Sequence, residues 1–162
     1  MQPFNAGIEQ QLDTAEATCI HRGMRLTSLR RQVLGLILET GGPASAYDLL
    51  DQLRLHHKGA APPTIYRALD FLLEQRLIHK VERLSAYIGC VHVHNTEQHA
   101  AQFLICRQCG RVAELEDAPI RAAIDAAASR VGFHAHGSTI EIEGICAACA
   151  METVPLHTHG TR

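Results

Sequence analysis

The sequence contains no apolar run that approaches the roughly 20 residues of a membrane-spanning helix. Its first residues, M-Q-P-F-N, lack the basic and apolar segments of a secretion signal. A large net charge is also absent, because 15 lysines and arginines nearly balance 17 aspartates and glutamates. These absences argue against a membrane partner and against a polybasic protein that binds nucleic acid through charge alone. We therefore expect a cytoplasmic protein that recognises its partners through local geometry.

The chain has enough apolar residues to build a core, since 46% of its 162 residues are hydrophobic. This length suits one large domain or two small ones. Six cysteines are present, and four of them fall in two C-x-x-C pairs. In a reducing compartment such pairs are typical of metal ligands, and two disulfides are the less favoured interpretation.

The first half of the sequence has the spacing of successive amphipathic helices. Apolar residues recur at helical intervals over residues 8–21. A second helix begins after a cap at Thr27 or Ser28, and a third opens at Ser45. Residues 62–76 predict a further helix with a complete core-facing stripe, formed by Ile65, Ala68, Leu69, Leu72 and Leu73.

The open side of the helix at residues 62–76 suggests a surface that reads DNA. Arginine pairs with guanine O6 and N7 in the major groove, and tyrosine contacts a thymine methyl group or a phosphate. Two short alternating runs around residues 83–85 predict a β-hairpin, and helices followed by a hairpin are the order of a winged helix. An ordinary solvated face is the alternative. The candidate DNA-binding side chains on this helix are Thr64, Tyr66 and Arg67.

The second half of the sequence predicts a three-stranded sheet with one helix. In order, the elements are a strand at 101–106, a strand at 111–115, a helix at 118–131 and a strand at 138–143. The last strand alternates cleanly as T-I-E-I-E, so one of its faces is wet or is covered by a partner. Such a sheet gives a thin core, which dimerisation through the sheet would complete.

The two C-x-x-C pairs predict one metal centre. Four thiolates arranged as two knuckles form the closed tetrahedral shell that structural zinc prefers. The sequence therefore predicts a structural zinc site whose ligands are Cys106, Cys109, Cys146 and Cys149.

Further metal-ligating side chains cluster between residues 79 and 114, where histidines, carboxylates and Cys90 occur together. This mixture indicates a transition metal. A third metal site is an additional hypothesis, and solvated histidines are the competing interpretation. Its candidate ligands are His92, His94, Glu116 and His134, with Glu97 and His136 beside them.

Three motifs in order carry a family likeness. The helix sequence P-T-I-Y-R-A-L-D-F-L runs into the hairpin, H-x6-C-x2-C-G-x-V-x-E follows, and G-x-C-x2-C comes last. This set, over residues 20–152, resembles the ferric uptake regulator family and is most similar to its zinc-uptake branch. The resemblance implies that a sensing zinc is held by His79, Cys90, His99 and Glu114. It also implies that Tyr47, Tyr66 and Arg67 contact DNA.

The resemblance further predicts an α+β fold in four segments. Residues 1–83 would form a winged-helix DNA-binding domain, and residues 84–98 a hinge. Residues 99–152 would form a small α/β dimerisation and metal-binding domain that contains the four-cysteine zinc site. Residues 153–162 would form a histidine-containing tail, which we expect to be disordered.

The function implied by the resemblance is zinc-responsive transcriptional regulation. A zinc-loaded homodimer would bind double-stranded, A·T-rich palindromic operators and repress zinc-uptake genes, with no small-molecule substrate. Sensing of iron, manganese or peroxide within the same family is the alternative. Zinc is favoured because thiolate together with imidazole and carboxylate suits zinc better than ferrous iron. In addition, the histidine-rich run of the iron branch is replaced by H-A-A-Q-F at residues 99–103.

A zinc hydrolase or deaminase is the rival from another class, because histidine, cysteine and glutamate beside zinc can activate water. A catalytic zinc keeps an open coordination position and needs a general base. The four implied ligands close the shell, and the H-x-E and P-C-x-x-C motifs of zinc deaminases are absent. We therefore expect no enzymatic activity.

Overall fold

The computed structural model describes residues 4–90, 101–115, 117–134 and 139–152. The chain divides into two compact units, Met1–His99 and Ala100–Arg162. Mixed helix and sheet in both units confirm the predicted α+β class. In chain order the elements are α1 (Ala6–His21), α2 (Ser28–Thr40), β1 (Ala44–Ser45), α3 (Ala46–His56), α4 (Pro62–Glu74), β2 (Ile78–Val81), β3 (Ala86–Gly89), β4 (Ala101–Cys106), β5 (Val112–Leu115), α5 (Ala118–Arg130), β6 (Thr139–Gly144) and α6 (Ala147–Glu152).

Local capping chemistry sets the helix starts in the first unit. The Thr27 hydroxyl accepts a hydrogen bond from the Arg30 backbone N–H at the start of α2, as predicted. The Ser45 hydroxyl accepts from the Asp48 N–H at 3.1 Å and opens α3. Helix α2 ends at Gly41, whose φ of 64° is a left-handed conformation that glycine adopts without steric cost.

Helix α4 packs its apolar stripe into the core of the first unit. Leu69 and Leu72 are fully buried there, and each contributes about 1.5–3 kcal/mol through burial. All five residues of the predicted stripe face the core, since Leu73 is half-buried and packs against it, and Phe71, which was not predicted, is buried as well. Phe71 is covered by the Arg30 guanidinium, which lies 3.6 Å from the ring centroid.

The first unit also contains a small sheet in the order β1-β3-β2. Strands β2 and β3 are antiparallel and form the predicted hairpin. A short 3-10 helix at Glu82–Leu84 and a left-handed Ser85 connect them. Strand β1 was not predicted, because its two residues are too few for a periodic signal. Helices α2, α3 and α4, with β1 between the first two and the hairpin of β2 and β3 after the last, have the arrangement of a winged helix.

The second unit contains a sheet in the order β5-β4-β6. Strand β4 is antiparallel to β5 and parallel to β6. Helix α5 joins β5 to β6, and the Asp117 carboxylate caps it by accepting from the Ile120 N–H at 2.9 Å. The Gln102 side-chain amide donates to the Asp117 carbonyl at 3.1 Å and ties this cap to β4. None of the α5 residues is fully buried, so the core of this unit is thin, as predicted.

The domain boundaries predicted at 1–83, 84–98 and 99–152 stay predictions. Strand β3 at Ala86–Gly89 pairs with β2, so the first part of the predicted hinge belongs to the hairpin. The rest of that hinge and the predicted tail at 153–162 lie outside the described residues.

Among the described helices, none is both long enough and apolar enough to cross a membrane.

Candidate metal centre and nucleic-acid interface

The pairing of β4 with β6 brings the two C-x-x-C motifs together. These strands are parallel, and Cys106 at the end of β4 is opposite Gly144 at the end of β6. Cys146 follows Gly144 by two residues, and its backbone N–H donates to Cys106 Sγ at 3.4 Å. The two motifs therefore leave neighbouring strands at the same edge of the sheet.

Backbone hydrogen bonds hold the first motif in a tight turn. The Gly110 N–H donates to the Cys106 carbonyl, and the Cys106 N–H donates to the Arg111 carbonyl, each at 2.9 Å. Gly110 has a φ of 70°, a conformation that favours glycine at this place in the C-x-x-C-G sequence. The Arg107 N–H donates to the Gly144 carbonyl at 2.9 Å and ties the turn to β6. Helix α6, which the sequence patterns did not predict, carries the fourth ligand, Cys149.

The four sulfur atoms have the spacing that zinc requires. Sulfurs of Cys106, Cys109, Cys146 and Cys149 all lie within 4.8 Å of one another. The Cys109 and Cys146 sulfurs are 3.8 Å apart. Four sulfurs about 2.3 Å from one tetrahedral centre are separated from each other by about 3.8 Å, so the residues present fit a zinc ion.

Hydrogen bonds shift the pKa values of two thiols of this centre in opposite directions. Backbone N–H groups of Cys146 and Cys109 point at Cys106 and lower the pKa of its thiol to about 6. Hydrogen bonding with the Cys146 sulfur, together with burial, raises the pKa of the Cys149 thiol. Cys106 is therefore ready to ligate as a thiolate at neutral pH, whereas Cys149 gives up a proton when a metal binds.

Zinc affinity of this centre is expected to fall as pH is lowered, because protons and zinc compete for the same sulfurs. The proton on Cys149 alone gives a loss of about tenfold per pH unit near neutrality. The loss steepens below about pH 6, where Cys106 also becomes protonated. Competition against a chromophoric chelator at a series of pH values measures this slope, and an affinity that is constant from pH 8 to about pH 5 would contradict it.

Two of the predicted sensing-zinc ligands lie together in the first unit. His79 on β2 is opposite Ile88 on β3, and Cys90 follows β3 with its N–H donating to the Leu77 carbonyl at 3.0 Å. Cys90 is two residues after Ile88, and side chains at this spacing share a face of a strand. Directly opposite residues of paired strands share a face as well, so Cys90 and His79 project on the same side of the hairpin. A nitrogen of the His79 ring and the Cys90 sulfur lie within 4.8 Å, and Cys90 is buried.

The remaining predicted ligands of the sensing site and the third site lie in the second unit or outside the described residues. Glu114 belongs to the second unit, where it is half-buried on β5 opposite Phe103. His99 lies outside the described residues, as do His92, His94 and Glu116 of the hypothetical third site. His134 is exposed in the segment after α5. The sensing site and the third site therefore stay predictions.

The predicted DNA-binding residues form an exposed set at the starts of α3 and α4. Tyr47 is 71% exposed near the start of α3, and Tyr66 is 51% exposed in α4. Arg67 is exposed beside Tyr66. Large aromatic side chains are usually buried when they serve packing alone, so these exposed tyrosines are suited to binding a partner.

Thr64 has a role that the sequence patterns did not predict. Its hydroxyl accepts a hydrogen bond from the Ala61 backbone N–H at 3.3 Å, so it stabilises the first turn of α4. The signal was a threonine three residues after the first capping position, ahead of an apolar stripe. Direct DNA binding by Thr64 stays a prediction, and its contribution to the helix start is an observation.

Comparisons with known proteins agree with this geometry. Residues 21–143 match the model of the ferric uptake regulator family. The zinc uptake regulation protein of Escherichia coli (strain K12) is 43% identical over 141 residues, which are 87% of this chain and 82% of that protein.

Solved structures are similar as well. A zinc uptake regulator complexed with zinc and DNA is 41% identical, with a TM-score of 0.84 over 90% of this chain and 96% of that one. The structure described as holo XcZur is 42% identical, with a TM-score of 0.80 over 88% of this chain and 98% of that one. The chain therefore belongs to the ferric uptake regulator family.

Proposed function

We propose that this protein is a zinc-responsive transcriptional repressor that binds operator DNA as a homodimer. One observation carries the proposal: a four-thiolate centre and a winged helix with exposed tyrosines and arginine occur in the same chain. The similarity to a regulator whose structure was solved with zinc and DNA supports both ligands. Zinc-uptake genes are the proposed targets, in accord with the similarity to zinc uptake regulation proteins.

The structural zinc is assigned to the four cysteines of the second unit, and the regulatory zinc to His79, Cys90, His99 and Glu114. The closeness of the His79 ring to the Cys90 sulfur supports the second assignment. Thiolate with imidazole and carboxylate is a donor set that suits zinc. When bound, zinc supplies a fixed centre of positive charge that these side chains share. If this zinc is regulatory, its occupancy and DNA binding are expected to depend on each other.

Linkage makes that dependence reciprocal: if zinc favours DNA binding, DNA favours zinc binding by the same factor. A coupling free energy of about 1–3 kcal/mol corresponds to roughly 5–150-fold tighter DNA binding in the zinc-loaded state. The mechanism is a shift between populations, in which zinc stabilises the DNA-competent conformations.

DNA is proposed to bind at α4, whose exposed side presents Tyr66 and Arg67 to the major groove. Two copies of this helix in a symmetric dimer would read half-sites about one helical turn apart, which requires a palindromic operator. Exposed Leu104, Ile142 and Ile145 on the second unit line an apolar groove of about 410 Å³ and support self-association there.

The proposal places the protein in the cytoplasm, where a reducing environment keeps the cysteines available as zinc ligands. It also assigns no enzymatic activity to the chain. A closed shell of four ligands at each zinc leaves no coordination position for an activated water.

Replacing Arg67 with alanine tests the DNA-binding surface. At saturating zinc, Arg67→Ala is expected to weaken binding to an A·T-rich palindromic duplex by about 5–150-fold, because a bidentate arginine–base contact is worth about 1–3 kcal/mol. Fluorescence anisotropy of the labelled duplex measures the affinity. Arg130→Ala, at the end of α5, is the matched control and should bind like the unsubstituted protein. Equal affinities for the two variants would contradict the assignment of α4.

A further inference from the structure

We propose, building on the DNA-binding function proposed above, that His57 is a positioning residue that fixes the first turn of the recognition helix α4. His57 ends α3 and begins the turn that leads to α4. Its ring reaches back to α2, where it hydrogen-bonds a buried glutamine. The residue thus links the end of α3 to α2 and begins the turn that leads to the DNA-facing surface of α4.

The partner of His57 is unusual for a helix core. Gln32 lies on α2 among buried apolar neighbours and is only 2% exposed. A buried amide without a hydrogen bond costs about 1–3 kcal/mol. Gln32 Oε1 lies 2.6 Å from His57 Nε2, and because a carbonyl oxygen only accepts, Nε2 carries the hydrogen and donates it.

Backbone contacts restrain His57 on both sides of the turn. Its N–H donates to the Leu53 carbonyl in the last turn of α3, and its carbonyl accepts from the Ala60 N–H, each at 2.8 Å. The Ala60 carbonyl in turn accepts from Arg54 Nε at 3.1 Å. The short segment before α4 is therefore tied to α3, and through the imidazole to α2.

This restraint matters because apolar packing at the start of α4 is limited to Ala60, which is buried just before the helix. Ala61, Pro62 and Pro63 are all exposed, whereas the buried stripe of the helix begins at Ile65. The hydrogen bonds of the preceding turn therefore act together with the burial of Ala60 to place the first turn of α4. Tyr66 and Arg67 follow directly, so a displacement of this turn changes the angle at which both side chains meet a base edge.

Direct phosphate contact is the other role open to a histidine beside Lys58. The hydrogen bond to Gln32 occupies Nε2 and directs that side of the ring toward α2. A glutamine at position 57 can present an amide N–H where Nε2 lies but carries no positive charge. The variant His57→Gln therefore separates positioning from electrostatic attraction to DNA.

The test measures binding of a palindromic operator duplex and of a scrambled duplex by the full-length, zinc-loaded protein. His57→Leu is expected to weaken operator binding about tenfold, which corresponds to the loss of one hydrogen bond of about 1.4 kcal/mol. Binding to the scrambled duplex and zinc content should not change. His57→Gln should bind like the unsubstituted protein, and so should the matched control His56→Leu one residue earlier.

A double variant separates positioning from simple destabilisation. Removing both partners of a partly buried hydrogen bond is nearly neutral for stability, so Gln32→Leu with His57→Leu should recover the melting temperature. Operator affinity should stay about tenfold weaker, because the link to the turn is still missing. Recovery of affinity in this double variant would overturn the positioning role. An operator affinity of His57→Gln as weak as that of His57→Leu would overturn it too, in favour of phosphate contact.

Failure of the two proposals can be told apart. If the unsubstituted protein binds operator and scrambled duplexes equally at saturating zinc, the proposed DNA-binding function is wrong. If it discriminates between them and His57→Leu discriminates equally well, only the role of His57 is wrong.

Discussion

Cys106→Ser is expected to remove zinc from the four-cysteine centre and to cost the second unit its fold and its dimer. The unit depends on metal because its sheet has three strands and its helix α5 contributes no fully buried residue. A core this thin rarely folds without a metal or a disulfide. Structural zinc in small domains supplies an apparent binding free energy of roughly 10–16 kcal/mol near neutral pH, and a hydroxyl in place of one thiolate gives up much of it.

Metal content after dialysis, circular dichroism and sedimentation velocity measure this effect together. The control is Cys19→Ala, which removes a buried thiol from α1 in the first unit. It should retain the zinc of the unsubstituted protein and remain dimeric. A folded, dimeric Cys106→Ser protein with an unchanged zinc content would show that the four cysteines are not a structural centre.

Cys90→Ser is expected to give the opposite pattern, in which the fold and the structural zinc remain and zinc-dependent DNA binding is lost. Serine is close to cysteine in volume, and the backbone N–H of residue 90 can still donate to the Leu77 carbonyl at the end of the hairpin. Only the sulfur beside the His79 ring is removed. The full coupling between zinc and DNA, roughly 5–150-fold in affinity, is therefore expected to disappear.

Titration of operator DNA at high and low buffered zinc measures that coupling. In the Cys90→Ser protein the two binding curves should coincide, while the unsubstituted protein shows a clear separation. Zinc content should fall by the regulatory ion alone. If Cys90→Ser and Cys106→Ser lose structure and DNA binding alike, the division into a structural and a regulatory site is wrong.

Local chemistry explains why much of the fold could be predicted from the sequence. Thr27 and Ser45 cap helices through hydrogen bonds that span three residues, so their effect is visible in a short stretch of sequence. The four-cysteine centre was predictable for a similar reason, because each C-x-x-C pair is a local motif. Joining the two pairs required only that β4 and β6 end at the same edge of a sheet.

Contacts between distant residues explain what could not be predicted. Gln32 and His57 are 25 positions apart and belong to no motif, so only the packing of α2 against the end of α3 brings them together. Phe71 is buried although it lies outside the predicted stripe, and the Arg30 guanidinium, contributed by another helix, covers its ring. Helix α6 is six residues long, too short to display a periodic pattern.

The burial of the last strand, β6, could be predicted only in part. The alternation over residues 139–143 predicts one apolar face, which would normally be buried within the unit. Ile142 on that face is instead 44% exposed. An alternating pattern predicts that one face of a strand is buried, but it does not predict whether the same chain or a second copy covers that face. In the proposed homodimer, the second copy covers it.

Selection of bound sequences from a random pool of duplex DNA tests the central claim most directly. The purified protein is incubated with the pool once at high buffered free zinc and once at very low free zinc. The zinc-responsive repressor proposed here should recover an A·T-rich palindrome only at high zinc. Enrichment that ignores zinc but requires iron or manganese would contradict zinc sensing, and no enrichment with any metal would contradict DNA recognition itself.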